Sequence, residues 1–131
     1  MSVFVDTSAL YALIDRDDAN HGPAAAWLQR ISPEEQLVTH NYVVVETSAL
    51  VQRRFGASIL RHLHDVVATG FTVVWVDATL HDAAVVALLA GRTRKVSLVD
   101  RVSFELMRRS RIAEAFAFDR DFVGEGFRLV P

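Results

Sequence analysis

Short unbroken apolar runs alternate along the chain with longer stretches in which apolar residues recur every three or four positions. The first pattern reads as buried strand, the second as a helix with one face on a core. Residues 2–6 open with such a run, Val3-Phe4-Val5, and 7–15 carry Leu10, Leu13 and Ile14 at helical spacing. Asp15 to Gly22 is polar and turn-like. Pro23 then suits the first turn of a helix over 23–31, with Trp27, Leu28 and Ile31 on one side. Leu37 to Thr39 is a second strand, and Asn41 is placed to cap the next helix. The spacing of Tyr42, Val45, Ala49, Leu50 and Arg53 predicts that helix over 42–54, against a competing strand reading of its β-branched start. Residues 57–68 read as helix.

Phe71 to Val76 reads as the clearest strand, with the signature of a buried parallel one. An alanine- and leucine-rich helix over 79–90 stops at Gly91, and Ser97 begins another that runs to Arg109. Ala115 to Phe118 is a strand, and Phe127 to Val130 a short last one. This alternation predicts an α/β fold in a single domain over 1–131. Its expected form is a three-layer α/β/α sandwich with a central, mostly parallel sheet. Ligands of such sheets gather outside the carboxyl ends of the strands.

Composition narrows the choices. Apolar residues make up 51% and charged ones 23%, which argues against disorder. The absence of cysteine excludes disulfides, thiolate zinc sites and cysteine nucleophiles. No apolar run approaches the ~18–20 residues a bilayer span needs. The opening MSVFVDTSALYALI lacks a basic leader and is split by Asp6, so a soluble, cytoplasmic protein with no membrane partner is expected. A net charge of −2 gives no general pull on nucleic acid. The cations are nearly all arginine, dense at Arg92, Arg94 and Lys95 and again at Arg101, Arg108, Arg109 and Arg111. Arginine's planar fork suits phosphate, a reading weighed evenly against plain solvated helix faces.

Four acids stand where the chain changes character: Asp6 after Val3-Phe4-Val5, Glu46 inside an apolar helix, Asp100 at a helix start, and Asp119 after Ala115-Phe116-Ala117-Phe118. Each has a structural alternative. Asp6 could accept backbone N–H bonds at a strand-to-helix turn. Asp100 has capping-box spacing from Ser97, although that motif usually takes Glu or Gln. Asp119 could start the turn Asp119-Arg120-Asp121. Glu46, among valines, is hardest to dismiss. If the four meet, they form a nest of like charge that an oxygen-seeking cation, Mg²⁺ or Mn²⁺, would fill. Such a site serves hydrolysis of phosphodiesters by metal-activated water. Thr7, Ser8 and Ser97 could add hydroxyl contacts. The five histidines show no metal-ligand spacing and read as structural or surface groups, and both tryptophans read as core before platform. No nucleophile elbow, Walker loop or dinucleotide fingerprint is present.

In this order, VFVDTSALYALID, NYVVVETSAL, VSLVDRVSFELMRR and FAFDRDF resemble the PIN-domain nucleases, and more narrowly the VapC-type toxins of bacterial toxin–antitoxin pairs. The likeness spans essentially the whole chain. It implies a PIN-like fold and a Mg²⁺-dependent endoribonuclease (Mn²⁺ as a substitute). It places catalytic and metal-holding roles on Asp6, Glu46, Asp100 and Asp119. Thr7, Ser8 and Ser97 match the family's small hydroxyl positions beside the substrate, and Arg101 and Arg120 are candidate contacts to the RNA backbone. Asp121 is a candidate accessory metal ligand acting through water, with a surface role weighed above it. Ala117 departs from the family's frequent Ser or Thr. The resemblance also implies an RNA substrate, an antitoxin partner and a homodimer. Two alternatives stay open: a catalytically silent PIN-like interaction module, and a free-standing metal-dependent nuclease without antitoxin.

Overall fold

The central strand of the sheet is the first one in sequence. In the computed structural model, which describes residues 1–131, β1 (Ser2–Val5) lies between β2 (Gln36–His40) and β4 (Glu114–Phe116). Outside them lie β3 (Thr72–Val74) and β5 (Arg128–Val130), giving the order β3-β2-β1-β4-β5 with every pairing parallel. Seven helices connect or follow the strands: α1 (Thr7–Ile14), α2 (His21–Arg30), α3 (Asn41–Arg54), α4 (Ala57–Gly70), α5 (Ala78–Ala90), α6 (Leu98–Ser110) and α7 (Asp121–Gly124). The expected three-layer α/β/α arrangement is present.

Handedness sorts the helices. The chain steps outward from β1 to β2 to β3, then returns to β4 on the other side of β1. Right-handed crossovers therefore put α1–α4 on one face and α5–α7 on the other. Packing agrees: α1, α2, α3 and α4 pack among themselves, and α5 packs on α6. The reversal between β1 and β4 opens a crevice at their carboxyl ends. The core is a single cluster of 26 buried apolar residues in which Phe4, Phe104, Phe116 and Phe122 are the largest side chains. Trp27 joins it, its ring 4.3 Å from Phe116.

Three local expectations change. The run 71–76 is not a fully buried strand. Only Thr72–Val74 pair, at the sheet margin with β2 as sole neighbour, and Trp75 is 76% exposed. Asn41 does not cap α3. His40 does, while Asn41 opens the helix and its Oδ1 accepts the Val76 N–H at 2.6 Å. The segment Asp119-Arg120-Asp121 is more than a turn, because Asp121 starts the one-turn helix α7.

Candidate metal centre

Asp6 follows the last residue of β1 and caps α1. Its backbone is extended, its N–H is held by the Phe116 carbonyl at 3.0 Å, and its Oδ2 accepts from the Ser8 N–H at 3.2 Å and the Ser8 hydroxyl at 2.6 Å. Oδ1 accepts no protein hydrogen bond. The residue is 4% exposed. Burial pushes its pKa up to about 6; the Ser8 bonds oppose this, and the charges of Asp100 and Asp119 add to it. Ser8 also reaches further along the chain. Its Oγ accepts the Phe118 N–H at 3.0 Å, stitching the start of α1 to the segment just before Asp119.

Asp100 enters from the other helical layer. Ser97 caps α6, taking the Asp100 N–H on its hydroxyl at 3.1 Å, while the Asp100 Oδ2 accepts the Ser97 N–H at 2.9 Å. The capping box therefore closes with Asp where Glu is usual. The shorter acid stays close to the helix end with Oδ1 free. Its pKa is raised, first by burial, then by Asp119 and Glu46. Glu46 reaches the corner from α3, half-buried, near enough for its charge to act on Asp100.

Asp119 and Asp121 complete the wall. The Asp119 Oδ1 accepts the Asp121 N–H at 2.9 Å. Asp100, Asp119 and Asp121 each offer an oxygen within 4.8 Å of the others. Asp121 is raised by burial and then by Asp119, while Lys95 and Arg101 pull it the other way. Asp121, for which a surface role was favoured from residue type, thus stands inside the tightest trio. Asp6 and Glu46 border that trio.

The corner holds five carboxylates and no ion pair. Every salt bridge in the molecule uses Asp15, Glu114 or Glu125 instead. Arg101, next to Asp100 in sequence, turns away. Its side chain is 14% exposed and pairs with Glu125 at 3.2 Å, and Arg108 holds the second oxygen of the same carboxylate. It lies so close to the end of α5 that a Cβ on Gly91 would stand 2.7 Å from its Nη2. It forms no ion pair with the acids, although its charge and that of Lys95 still favour the ionised form of Asp121. Beside Asp6, the buried Thr7 Oγ1 has no hydrogen-bond partner, the condition of a group awaiting a water or an ion. Oxygen-only donors under mutual repulsion, with free lone pairs and no protein cation paired to them, fit a hard divalent cation.

The predicted substrate contacts divide. The Ser8 and Ser97 hydroxyls are committed to Asp6, Phe118 and Asp100. Arg101 is committed to Glu125. Arg120 is exposed at the start of α7 without a side-chain bond, and Arg92, Arg94 and Lys95 are exposed on the loop before α6. Reasoning from residue types missed His40 and Glu125, which hold helices in place. Neither carries a local sequence signal.

The largest cavity lies elsewhere. A groove of about 670 Å³ between α3, α4 and the end of β3 is lined by Val44, Val45, Ala49, Val67 and Trp75. It is apolar and holds none of the five acids. No helix is long and apolar enough to cross a membrane.

The PIN domain family matches residues 3–124. The chain is 37% identical over 132 residues to the 23S rRNA-specific endonuclease VapC20 of Mycobacterium tuberculosis, covering 95% of each protein. The crystal structure of M. tuberculosis VapC20, described as a Sarcin-Ricin loop cleaving toxin, superposes with a TM-score of 0.87 at 36% identity and 95% coverage of both chains. FitAcB from Neisseria gonorrhoeae (TM-score 0.69, 14% identity, covering 100% of this chain and 97% of that one) shares the fold. So does VapBC2 from Rickettsia felis bound to a promoter DNA fragment (0.67, 10%, 98% and 97%).

Proposed function

The chain belongs to the PIN-domain family, and from that premise we propose that it is a metal-dependent endoribonuclease, the toxin of a VapBC-type toxin–antitoxin pair. The observation that carries this reading is the corner of five carboxylates without an ion pair, set where the sheet reverses between β1 and β4. Asp6, Glu46, Asp100 and Asp119 would hold Mg²⁺, with Mn²⁺ as a substitute, and Asp121 would support them. When bound, the ion supplies an activated water and charge neutralisation at the scissile phosphate. The protein does the rest. The Ser8 hydroxyl proton occupies Asp6 Oδ2 and leaves Oδ1 for the centre. The Ser97 backbone N–H occupies Asp100 Oδ2 and likewise leaves its Oδ1 free. Arg120 and the loop cations Arg92, Arg94 and Lys95 would meet the phosphate backbone outside the acidic corner. Domain boundaries of 1–131, a cytoplasmic setting, an antitoxin that blocks the site and a homodimer belong to the same reading.

The relative's substrate makes 23S rRNA the first RNA to try. A labelled fragment carrying the sarcin–ricin loop is incubated with Mg²⁺ and with EDTA. Cleavage in the first tube alone is expected. Equal cutting in both would remove the metal, and no cutting of any RNA in a wider panel would favour the silent interaction module.

A further inference from the structure

Glu46 and Asp100 come from opposite faces of the sheet, on α3 and α6. These helices barely pack on one another: α3 packs on α1 and α4, and α6 packs on α5. A single side-chain hydrogen bond joins the two segments, from His40 to Ser103, 2.9 Å between Nε2 and Oγ. His40 ends β2 and caps α3, so one residue carries both the start of the Glu46 helix and the link to the Asp100 helix. Ser103 lies one turn beyond Asp100.

The network settles the state of the ring. Ser103 donates its only hydroxyl proton to the Val99 carbonyl at 3.0 Å, so it can only accept from His40. On the other side, His40 Nδ1 lies 3.3 Å from the Val43 N–H and must accept it. One ring nitrogen donates and one accepts, which is the neutral imidazole protonated at Nε2. The ring is fully buried between Phe4 and Tyr42, with centroids at 5.6 and 6.0 Å. No carboxylate bonds to it. A histidine that satisfies both nitrogens in one protonation state acts as a rigid spacer, because either the other tautomer or a second proton breaks a bond.

We propose that His40 is a positioning residue whose Nε2–H bond to Ser103 sets the separation of Glu46 and Asp100 and so tunes the affinity of the metal centre. The inference deepens the metallonuclease reading and rests on it. Outer groups that orient metal ligands typically change affinity by about 10–100-fold when removed. Two substitutions separate the two functions of the ring. His40→Asn keeps an acceptor suited to capping α3 but falls short of Ser103. His40→Gln places an amide N–H near the Nε2 position and gives up the cap.

Mn²⁺ affinity of the folded protein is titrated for wild type, Ser103→Ala, His40→Asn and His40→Gln, alongside melting temperatures and the ¹⁵N shifts of the His40 ring. Ser103→Ala and His40→Asn should each bind Mn²⁺ about tenfold more weakly, with no further loss when combined. His40→Gln should bind nearly as wild type even if it melts lower. The ring should show the Nε2-protonated neutral form. Unchanged Mn²⁺ affinity in Ser103→Ala, whatever its melting temperature, would overturn the proposal, as would an Nδ1-protonated ring. Absence of Mn²⁺ binding by wild type would bring down the nuclease reading first, an outcome distinct from loss of the tie alone.

Discussion

Asp6 and His40 occupy equivalent places. Each stands at the carboxyl end of one of two adjacent parallel strands, Asp6 just after β1 and His40 as the last residue of β2; each has extended backbone, and each caps the helix that comes next. Both are buried. Their electrostatics are opposite. His40 sits neutral with both nitrogens bonded, and burial pushes its pKa down to about 4. Asp6 keeps an unbonded oxygen and is buried among like charges, and burial first, then those charges, raise its pKa to about 6. A third junction lies after β3, where the exposed Asp77 caps α5 through the Leu80 N–H at 2.8 Å. One backbone solution thus serves three ends. The local cap does not make a site; burial beside other acids, with no protein cation paired to them, does.

The two junctions differ most visibly when Asp6 is changed. Asp6→Asn preserves the cap, since Asn caps as well as Asp. Initial rates on labelled RNA should nevertheless fall about 100-fold or more, with the circular dichroism spectrum unchanged. A rate within about threefold of wild type would take Asp6 out of the centre.

Acid stability sharpens the contrast. For Asp6 the folded pKa exceeds its unfolded value, so its contribution is fully present below about 3.8 and is lost as pH rises through about 6. For His40 the folded pKa is depressed, so its contribution is present above about 6.5 and is lost as pH falls towards about 4. Each spans about two pH units, on the order of 3 kcal/mol, in opposite directions. In EDTA the two nearly offset, with Asp100 and Asp121 adding to the Asp6 side. Asp6→Asn should therefore lose on the order of 3 kcal/mol relative to wild type between about pH 7 and pH 4, read from urea unfolding. Parallel curves would contradict the raised Asp6.

Mg²⁺ gives the next effect. At a free concentration about 100 times its dissociation constant it should stabilise wild type by about 2.7 kcal/mol, on the order of 10 °C in melting temperature. Asp6→Asn should respond much less at the same concentration. An equal rise in both proteins would place the ion elsewhere. The smallest change is expected at the exposed junction. Asp77→Asn should shift stability by less than about 0.5 kcal/mol and leave the cleavage rate alone.

The sheet was legible where strands are central. Val3-Phe4-Val5 is apolar throughout because β1 is covered on both faces. Phe71 to Val76 is apolar but for Thr72 yet lies at the margin, and hydrophobicity does not tell a covered strand from an edge beside a groove. The Ser97–Asp100 box could be read from spacing, because a cap is local. Asp121 could not be placed with the trio, because α7 is four residues long and a single turn has no periodicity. His40 looked like any of the five histidines, since its meaning lies in a partner 63 positions away. Arg101 read as a phosphate contact because residue type does not show that Glu125 claims it.

The two tryptophans differ as sharply as the two junctions. Trp27 packs, partly buried, against the core near Phe116, and Trp75 stands in water at the lip of the apolar groove. Their emission should therefore separate by colour, with the red-shifted part quenched freely by acrylamide. A molecule that settled in the groove would shield that part and spare the other, so the exposed indole is a built-in optical test for occupancy of the groove.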